Sequence, residues 1–299
     1  MAQLEDYTYE SKVGFSLLER ITTGSHFDDW YKRSKKEYSG ENVIFRGMPE
    51  ARYKLFTSSQ RLLCYRDLSR FQVNKLEKDY FNFLMTLKRE ALEWNGKLIP
   101  NFYKNAGVVL NDFAMFSFMQ HHGIPTPLLD FTTDIDIGLY FAFRGTQLTP
   151  SNDLVDNFVY LYVIDTKSNN LNLTDPIGHD LASVYDKSKL ILFAEVKEPI
   201  EDSSSQRPRF TNTNFNIINQ KGVFVFNYHP WMPICPGIPR EIKPTPHLPD
   251  IKCIDIHKSI KERILSKIAE NGILEDRLFA DFTKFKNEVT FNALAKYSK

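Results

Sequence analysis

Cysteine is scarce in this chain. Cys64, Cys235 and Cys253 are scattered over 299 positions with no C-x-x-C pair, which argues against a disulfide framework or a zinc knuckle and for a reducing compartment. Glycine is sparse as well. The 13 glycines nowhere form G-x-G-x-x-G or G-x-x-x-x-G-K-[ST], so neither phosphate-cradling loop has a place to sit. There is no G-x-S-x-G elbow, no H-E-x-x-H and no H-x-x-x-H, which removes the common hydrolase and zinc-enzyme signatures and leaves the expectation of no metal. Nor does any run approach the ~20 apolar residues of a membrane span. The opening Met-Ala-Gln-Leu-Glu-Asp-Tyr lacks the basic-then-apolar pattern of a secretory signal. The expectation is a soluble chain in the cytoplasm with no membrane contact. Charge of one sign is missing too: 38 Lys and Arg against 37 Asp and Glu give a net +1. That argues against non-specific polyanion binding as the main business, while leaving a local basic face open.

Aromatic residues are plentiful, 14% of the chain with 24 Phe, enough to fill a large core with rings. Residues 1–40 read as a helical segment, with Phe27, Trp30 and Tyr31 at helical spacing on one face. A short strand at 43–47 ends in a glycine turn. A long helix over 71–94 carries the stripe Leu76, Tyr80, Phe83, Leu84, Leu87 and Ala91. A second over 109–121 carries Leu110, Phe113, Phe116 and Met119 and is closed by Gly123. Thr132, Thr133 or Asp134 caps a third over 135–143. Strand patterns follow at 158–164, 190–196, 222–226 and 251–256. Two irregular stretches interrupt them: 199–216, polar and expected to be mobile, and 230–249, which holds seven of the fifteen prolines. An amphipathic helix over 258–271, with Ile260, Ile264 and Ile268 on one side, and another helix from about 281 end the chain. Helices first and strands second give an α+β fold with a mainly antiparallel sheet rather than a doubly wound one. The division is an N-terminal helical segment (1–40), a main domain (41–256) and a C-terminal helical extension (257–299) packed on that domain.

Between two apolar helices lies Gln120-His121-His122-Gly123-Ile124-Pro125-Thr126-Pro127-Leu128-Leu129-Asp130-Phe131-Thr132-Thr133, with two adjacent histidines, two spaced prolines, an aspartate and a pair of threonines. Pro125 and Pro127 force an extended path. His121 and His122 fall in the last turn of a helix, where the dipole favours imidazolium. Adjacent helical histidines point about 100° apart and do not chelate one ion. Arg46, His121, His122, Asp130, Thr132 and Gln220 are the polar residues bordered by apolar structure. Taken singly, Asp130 and Thr132 read as helix caps, and Arg46 as a snorkelling strand-end residue. Taken together, the stiffened bridge around them reads as a site.

Phe45-Arg46-Gly47, the 120–133 block with Leu139-Tyr140-Phe141-Ala142, and Gln220-Lys221-Gly222-Val223-Phe224 together resemble the FRG domain family, which takes its name from the Phe-Arg-Gly triplet. The tail resembles it too: Asn271-Gly272-Ile273, then Leu278-Phe279-Ala280-Asp281, with Ala280 where the family more often has proline. The FRG pattern in turn is similar to that of mono-ADP-ribosyltransferases, which bind NAD in a split antiparallel sheet. This resemblance implies an NAD-dependent transferase acting on RNA, DNA or protein, in the manner of a toxin or phage-defence effector, with a restraining antitoxin-like partner. Its alternatives are a non-catalytic nucleotide- or nucleic-acid-binding module and an NAD glycohydrolase.

Residue by residue, the resemblance places Arg46, with Gly47, on a phosphate or ribose oxygen of NAD. It puts Thr132 on the ribose or on a catalytic side chain, and Tyr140 against nicotinamide. Gln220 stands where such enzymes carry a glutamate. The carboxylate that stabilises the oxocarbenium-like centre would then come from Asp130 or from Glu195. His121 or His122 would orient or deprotonate the acceptor.

Overall fold

The computed structural model describes residues 6–13, 15, 18–40, 42–64, 73–105, 110–148, 151, 153–169, 171, 190–193, 215–227, 229–230, 233–234 and 251–279. In chain order these form α1 (Tyr9–Val13), β1 (Leu18–Ile21), α2 (Gly24–Glu37), β2 (Val43–Met48), α3 (Ser58–Cys64), α4 (Val73–Asn105), α5 (Asp112–His121), β3 (Leu128–Thr132), α6 (Ile135–Phe143), β4 (Phe158–Asp165), β5 (Leu190–Phe193), α7 (Phe215–Asn219), β6 (Gly222–Asn227), β7 (Ile251–His257), α8 (Lys261–Glu270) and α9 (Glu275–Leu278). The result is a mixed α/β architecture around one open sheet of seven strands, ordered β1-β7-β4-β2-β3-β6-β5. All neighbours are antiparallel except β1 and β7.

Local chemistry explains most element boundaries. Thr23, Asn111 and Asp134 each accept a backbone N–H two or three residues on, and so cap α2, α5 and α6. The long helix expected over 71–94 does leave helical geometry at Trp94, and Asn95, Gly96 and Lys97 all adopt positive φ. A further arm then runs on to Asn105, which the apolar stripe did not foretell. Two strands were also missed. Leu18–Ile21 lies in a segment that reads as helical, yet it pairs in parallel with Cys253–Ile256 at the sheet edge. Four residues are too few for a periodic signal, and the pairing with β7 decides the outcome. Leu128–Thr132 reads as an extended bridge and is a central strand, paired along its whole length with β6. The expected helix from about 281, the stretch 199–214, most of 230–249, and Glu195 lie outside the described residues.

The faces of the sheet sort the core. Ile44, Met48, Leu129, Phe131, Tyr160, Tyr162, Val223, Val225 and Cys253 share one continuous apolar cluster on one face. The other face is covered by two separate groups of helices. Over β2, β4 and β7, the side chains of α2, α6 and α8 pack on Val43, Phe45, Leu161 and Ile254. Over β3 and β6, α4 and α5 pack on Leu128, Phe224 and Phe226. Residues paired across strands point to the same side and alternate along each strand. Thr132, paired with Phe45, therefore shares the helical face with Asp130 and Leu128, and Arg46 is rooted on the opposite one.

Two glycines let α6 lie almost on the sheet. A Cβ on Gly47 would come within 2.0 Å of the Gly138 carbonyl oxygen and 2.5 Å of the Ala142 nitrogen. One on Gly138 would meet Leu161 and Phe45 at 2.9 and 3.0 Å. Beneath the other face, Lys12 is fully buried and bonds the Asp255 carboxylate and the Ala51 carbonyl. Arg20 reaches the second carboxylate oxygen at 3.5 Å and ties α1 and β1 onto β7. Removing one partner of such a buried pair leaves an uncompensated charge, at a cost of about 3–5 kcal/mol. Cys253 lies next to this pair, and burial pushes its thiol up to about 12.

Gly47→Ala is expected to destabilise the fold by about 3 kcal/mol, the upper end of overpacking costs, because the added methyl meets backbone atoms that cannot rotate away. Urea unfolding of the two proteins measures it, and equal midpoints would contradict the packing described. In a chain with Cys64 and Cys235 replaced by Ser, Cys253 is expected to resist alkylation at pH 8 until denaturant is added, since the thiolate is the reactive form. Rapid labelling of the folded protein would contradict the burial.

Candidate active site

Strands β2 and β4 pair over six residues, Val43↔Asp165 through Met48↔Tyr160. On its other side β2 touches β3 through a single pair, Phe45↔Thr132. Beyond it the two strands diverge, so the sheet opens into a seam. A cavity of about 370 Å³ fills the opening, lined by 45–49 of β2 and its exit, 130–132 of β3, Phe141 of α6, Ile217 and Gln220 at α7, and 222–224 of β6. Its volume is at the small end of the range for ligand sites, roughly 300–1,000 Å³. The wall is mostly aromatic and aliphatic, and the polar side chains in it are Arg46, Asp130, Thr132 and Gln220. Four scattered sequence positions thus meet around one cavity.

Arg46 bridges the seam. Its Nη1 donates to the Asp130 carbonyl oxygen, a backbone acceptor that β2 has moved out of range to reach. The same Nη1 stands 3.9 Å from Asp130 Oδ2. Its carbon lies 5.9 Å from the Phe131 ring centroid. The side chain is 19% exposed, and Nε is buried without a hydrogen-bond partner among the described residues. Desolvation lowers the arginine pKa and the nearby Asp130 charge opposes that. It stays a cation, because an ordinary guanidinium titrates above ~12. The carbonyl bond to a charged donor is worth about 1.5–3 kcal/mol; the ion pair, half in solvent, adds at most about 1 kcal/mol.

Asp130 is 58% exposed at the cavity mouth. It does not cap α6, because Asp134 does that, accepting from the Asp136 N–H and from Lys221 Nζ at 2.8 Å. Desolvation alone would raise the Asp134 carboxyl, yet these bonds and the Lys221 charge hold it below its usual range. Gln120, at the end of α5, donates through Nε2 to Asp130 Oδ2 at 3.0 Å. Reading the sequence for chemistry favoured the adjacent histidines and passed over this residue. The signal that would have found it is the turn through Pro125 and Pro127, which folds the end of α5 back alongside β3.

Other candidates sit differently from expectation. Thr132 lines the cavity, but its hydroxyl donates to the Gln220 carbonyl at 2.7 Å and accepts the Asp134 N–H at 3.1 Å. It therefore latches β3 to the turn before β6. Gln220 also lines the cavity, with Nε2 donating to the Leu278 carbonyl at 3.1 Å, so its amide holds the α9 segment against the site. Gly47 contributes backbone to the wall, and its missing side chain serves the approach of α6. Tyr140 is not a wall residue. One helical position on, Phe141 faces the cavity, while Tyr140 is buried against Phe279 with ring centroids 6.5 Å apart. Burial first, then the Glu275 charge, raises its phenol.

His121 and His122 are exposed and absent from the cavity wall. Their rings lie 5.1 Å apart, and His122 packs on Phe118 at 4.3 Å. Burial, then the neighbouring His122, lowers the His121 pKa, the opposite direction from the dipole effect expected at a helix C-terminus. Helical rotation explains the swap: at about 100° per residue, Gln120 takes the side facing Asp130 and the histidines turn away from it.

Among the described residues, no three His, Cys, Asp or Glu side chains are grouped to hold a metal ion, and no helix is long and apolar enough to cross a membrane. Among known proteins, no curated sequence and no solved structure matches the chain. Residues 41–150 match the family model of the FRG domain, and that stretch supplies Arg46, Gln120, Asp130 and Thr132.

Proposed function

We propose that the seam between β2 and β3 binds the nicotinamide-ribose half of NAD, and that the chain transfers ADP-ribose to a nucleophile on a macromolecule. The observation that carries this reading is the pairing of Arg46 and Asp130 at the mouth of a small apolar cavity in an opened antiparallel sheet. Phe45, Phe131, Phe141 and Phe224 suit a flat heteroaromatic ring. The unpartnered Nε edge of Arg46 suits a ribose or phosphate oxygen.

The chemistry follows from charge. As the bond from ribose C1′ to the nicotinamide nitrogen breaks, its electron pair leaves with the ring, which becomes neutral. The sugar takes on oxocarbenium character, which the Asp130 carboxylate stabilises electrostatically. A lone pair of the acceptor then closes on C1′, and its proton passes to the same carboxylate. Water in place of the acceptor would give an NAD glycohydrolase, recognised by free ADP-ribose in place of labelled macromolecule.

A binding module without turnover is the second reading. It is favoured by Asp130 being the only carboxylate among the described lining residues, and by Gln220, an amide tied to Leu278, being unable to act as a base. The test is incubation of the purified chain with NAD labelled in the adenylate half, together with cell extract. Label in a macromolecular fraction supports transfer; binding by calorimetry with no nicotinamide released supports the module.

Arg46→Ala is expected to weaken NAD binding about 10- to 150-fold, corresponding to loss of a charged hydrogen bond worth about 1.5–3 kcal/mol; unchanged affinity would remove Arg46 from the site. Asp130→Asn is expected to lower nicotinamide release by about 100-fold while affinity changes less than about threefold, as for a group that acts in the transition state. Equal loss of binding and turnover would make Asp130 a ligand contact only.

A further inference from the structure

We infer that Gln120 is a positioning residue that fixes the Asp130 carboxylate, holding Oδ2 and leaving Oδ1 to face the reacting centre. This rests on the proposed role of Asp130, and it adds a residue that the three motif positions do not contain.

The argument is one of donors and acceptors. Thr126, fully buried in the proline-stiffened turn, accepts the Leu128 N–H on its Oγ1 at 3.2 Å. Its own hydroxyl proton points to Gln120 Oε1 at 2.5 Å. With Oε1 committed as acceptor, the amide has one orientation left, in which Nε2–H meets Asp130 Oδ2 at 3.0 Å. The chain of bonds thus aims the amide donor at one carboxyl oxygen of Asp130 and selects which oxygen is occupied.

Thr126 is itself immobilised. Its carbonyl accepts from the Ser59 N–H at 3.1 Å and Ser59 Oγ at 2.8 Å, and its N–H donates to Ser58 Oγ at 2.9 Å. Ser59 Oγ lies 2.6 Å from the Tyr80 hydroxyl. A buried scaffold of α3 and α4 thus ends, through Thr126 and Gln120, on an exposed carboxylate. Arg46 from β2 is the charged group standing against Asp130, and it too approaches Oδ2, at 3.9 Å. Among the described residues Oδ1 has no hydrogen-bond partner, and Asp130 lines the cavity.

The experiment compares full-length wild type with Gln120→Met, Thr126→Val and Gln120→Glu. The first readout needs no turnover: crystal structures of wild type and the variants locate the Asp130 carboxylate. With the donor lost in Gln120→Met, the Asp130 side chain is expected to leave its wild-type position, and to do so less in Thr126→Val, where the amide is present but unpinned. A carboxylate in the wild-type position in both folded variants would overturn the proposal; Thr126→Val serves alone if Gln120→Met does not fold.

The second readout is nicotinamide release. Gln120→Met is expected to lower kcat about tenfold with KM within about threefold. Gln120→Glu is expected to recover activity at acid pH, where a protonated Glu can donate in place of the amide, and to lose it as that proton leaves. A flat profile for Gln120→Glu overturns the positioning role when wild type turns over. A wild type that releases no nicotinamide overturns the transferase reading instead, and the crystal structures of the variants still decide whether Gln120 holds Asp130.

Discussion

The β2–β3 ladder begins at Phe45↔Thr132 and stops there. A central strand that abandons its neighbour leaves backbone donors and acceptors that must find other partners. Here Arg46 supplies one of them, placing a guanidinium N–H on the Asp130 carbonyl that the diverging strand no longer reaches. The same divergence makes the cavity, and the same arginine furnishes its cation. Opening of the sheet and polarity of the site are therefore one structural event.

Several buried contacts hold the seam open in one geometry. Gly47 and Gly138 let α6 descend until Phe45 and Leu161 touch its backbone, which fixes β2 on its β4 side. On the other side, Thr132 and the turn before β6 lock β3 to its partner through the Gln220 carbonyl. The wall residues Gln220 and Phe141 are backed by the far end of the chain, where Leu278 is buried and accepts from Gln220, Arg144 pairs with Glu275, and Phe279 packs on Phe141. Asp136, buried among Tyr31, Lys35 and Asn271, joins α2, α6 and the end of α8 by the same logic. It was not singled out by spacing because none of its partners is near it in sequence.

Of the polar groups at 120–133, Asp130 and Thr132 line the cavity and the histidines do not. Asp130 stands at the cavity mouth because period-two alternation puts Leu129 and Phe131 into one core and turns Asp130 to the other face. There it falls between the two separate groups of helices and stays 58% exposed. Gln120 rather than either histidine meets it, and Thr132 spends its hydroxyl on structure.

The sequence by itself determined the mixture of helices and antiparallel strands, a cap for α6 among Thr132, Thr133 and Asp134, and the end of the long helix's first arm at Trp94. Those follow from local propensity, periodicity and hydrogen-bond chemistry, each readable within a few neighbouring positions. It did not reveal strands β1 and β3, the wall residue Phe141, or the partnership of Gln120 with Asp130. These depend on register and helical rotation, which are settled by pairing with segments far along the chain: Leu18 with Cys253, Thr132 with Gly222. Tertiary structure alone decided that a single residue pair would join β2 to β3, at the point where the two groups of helices on one face of the sheet meet.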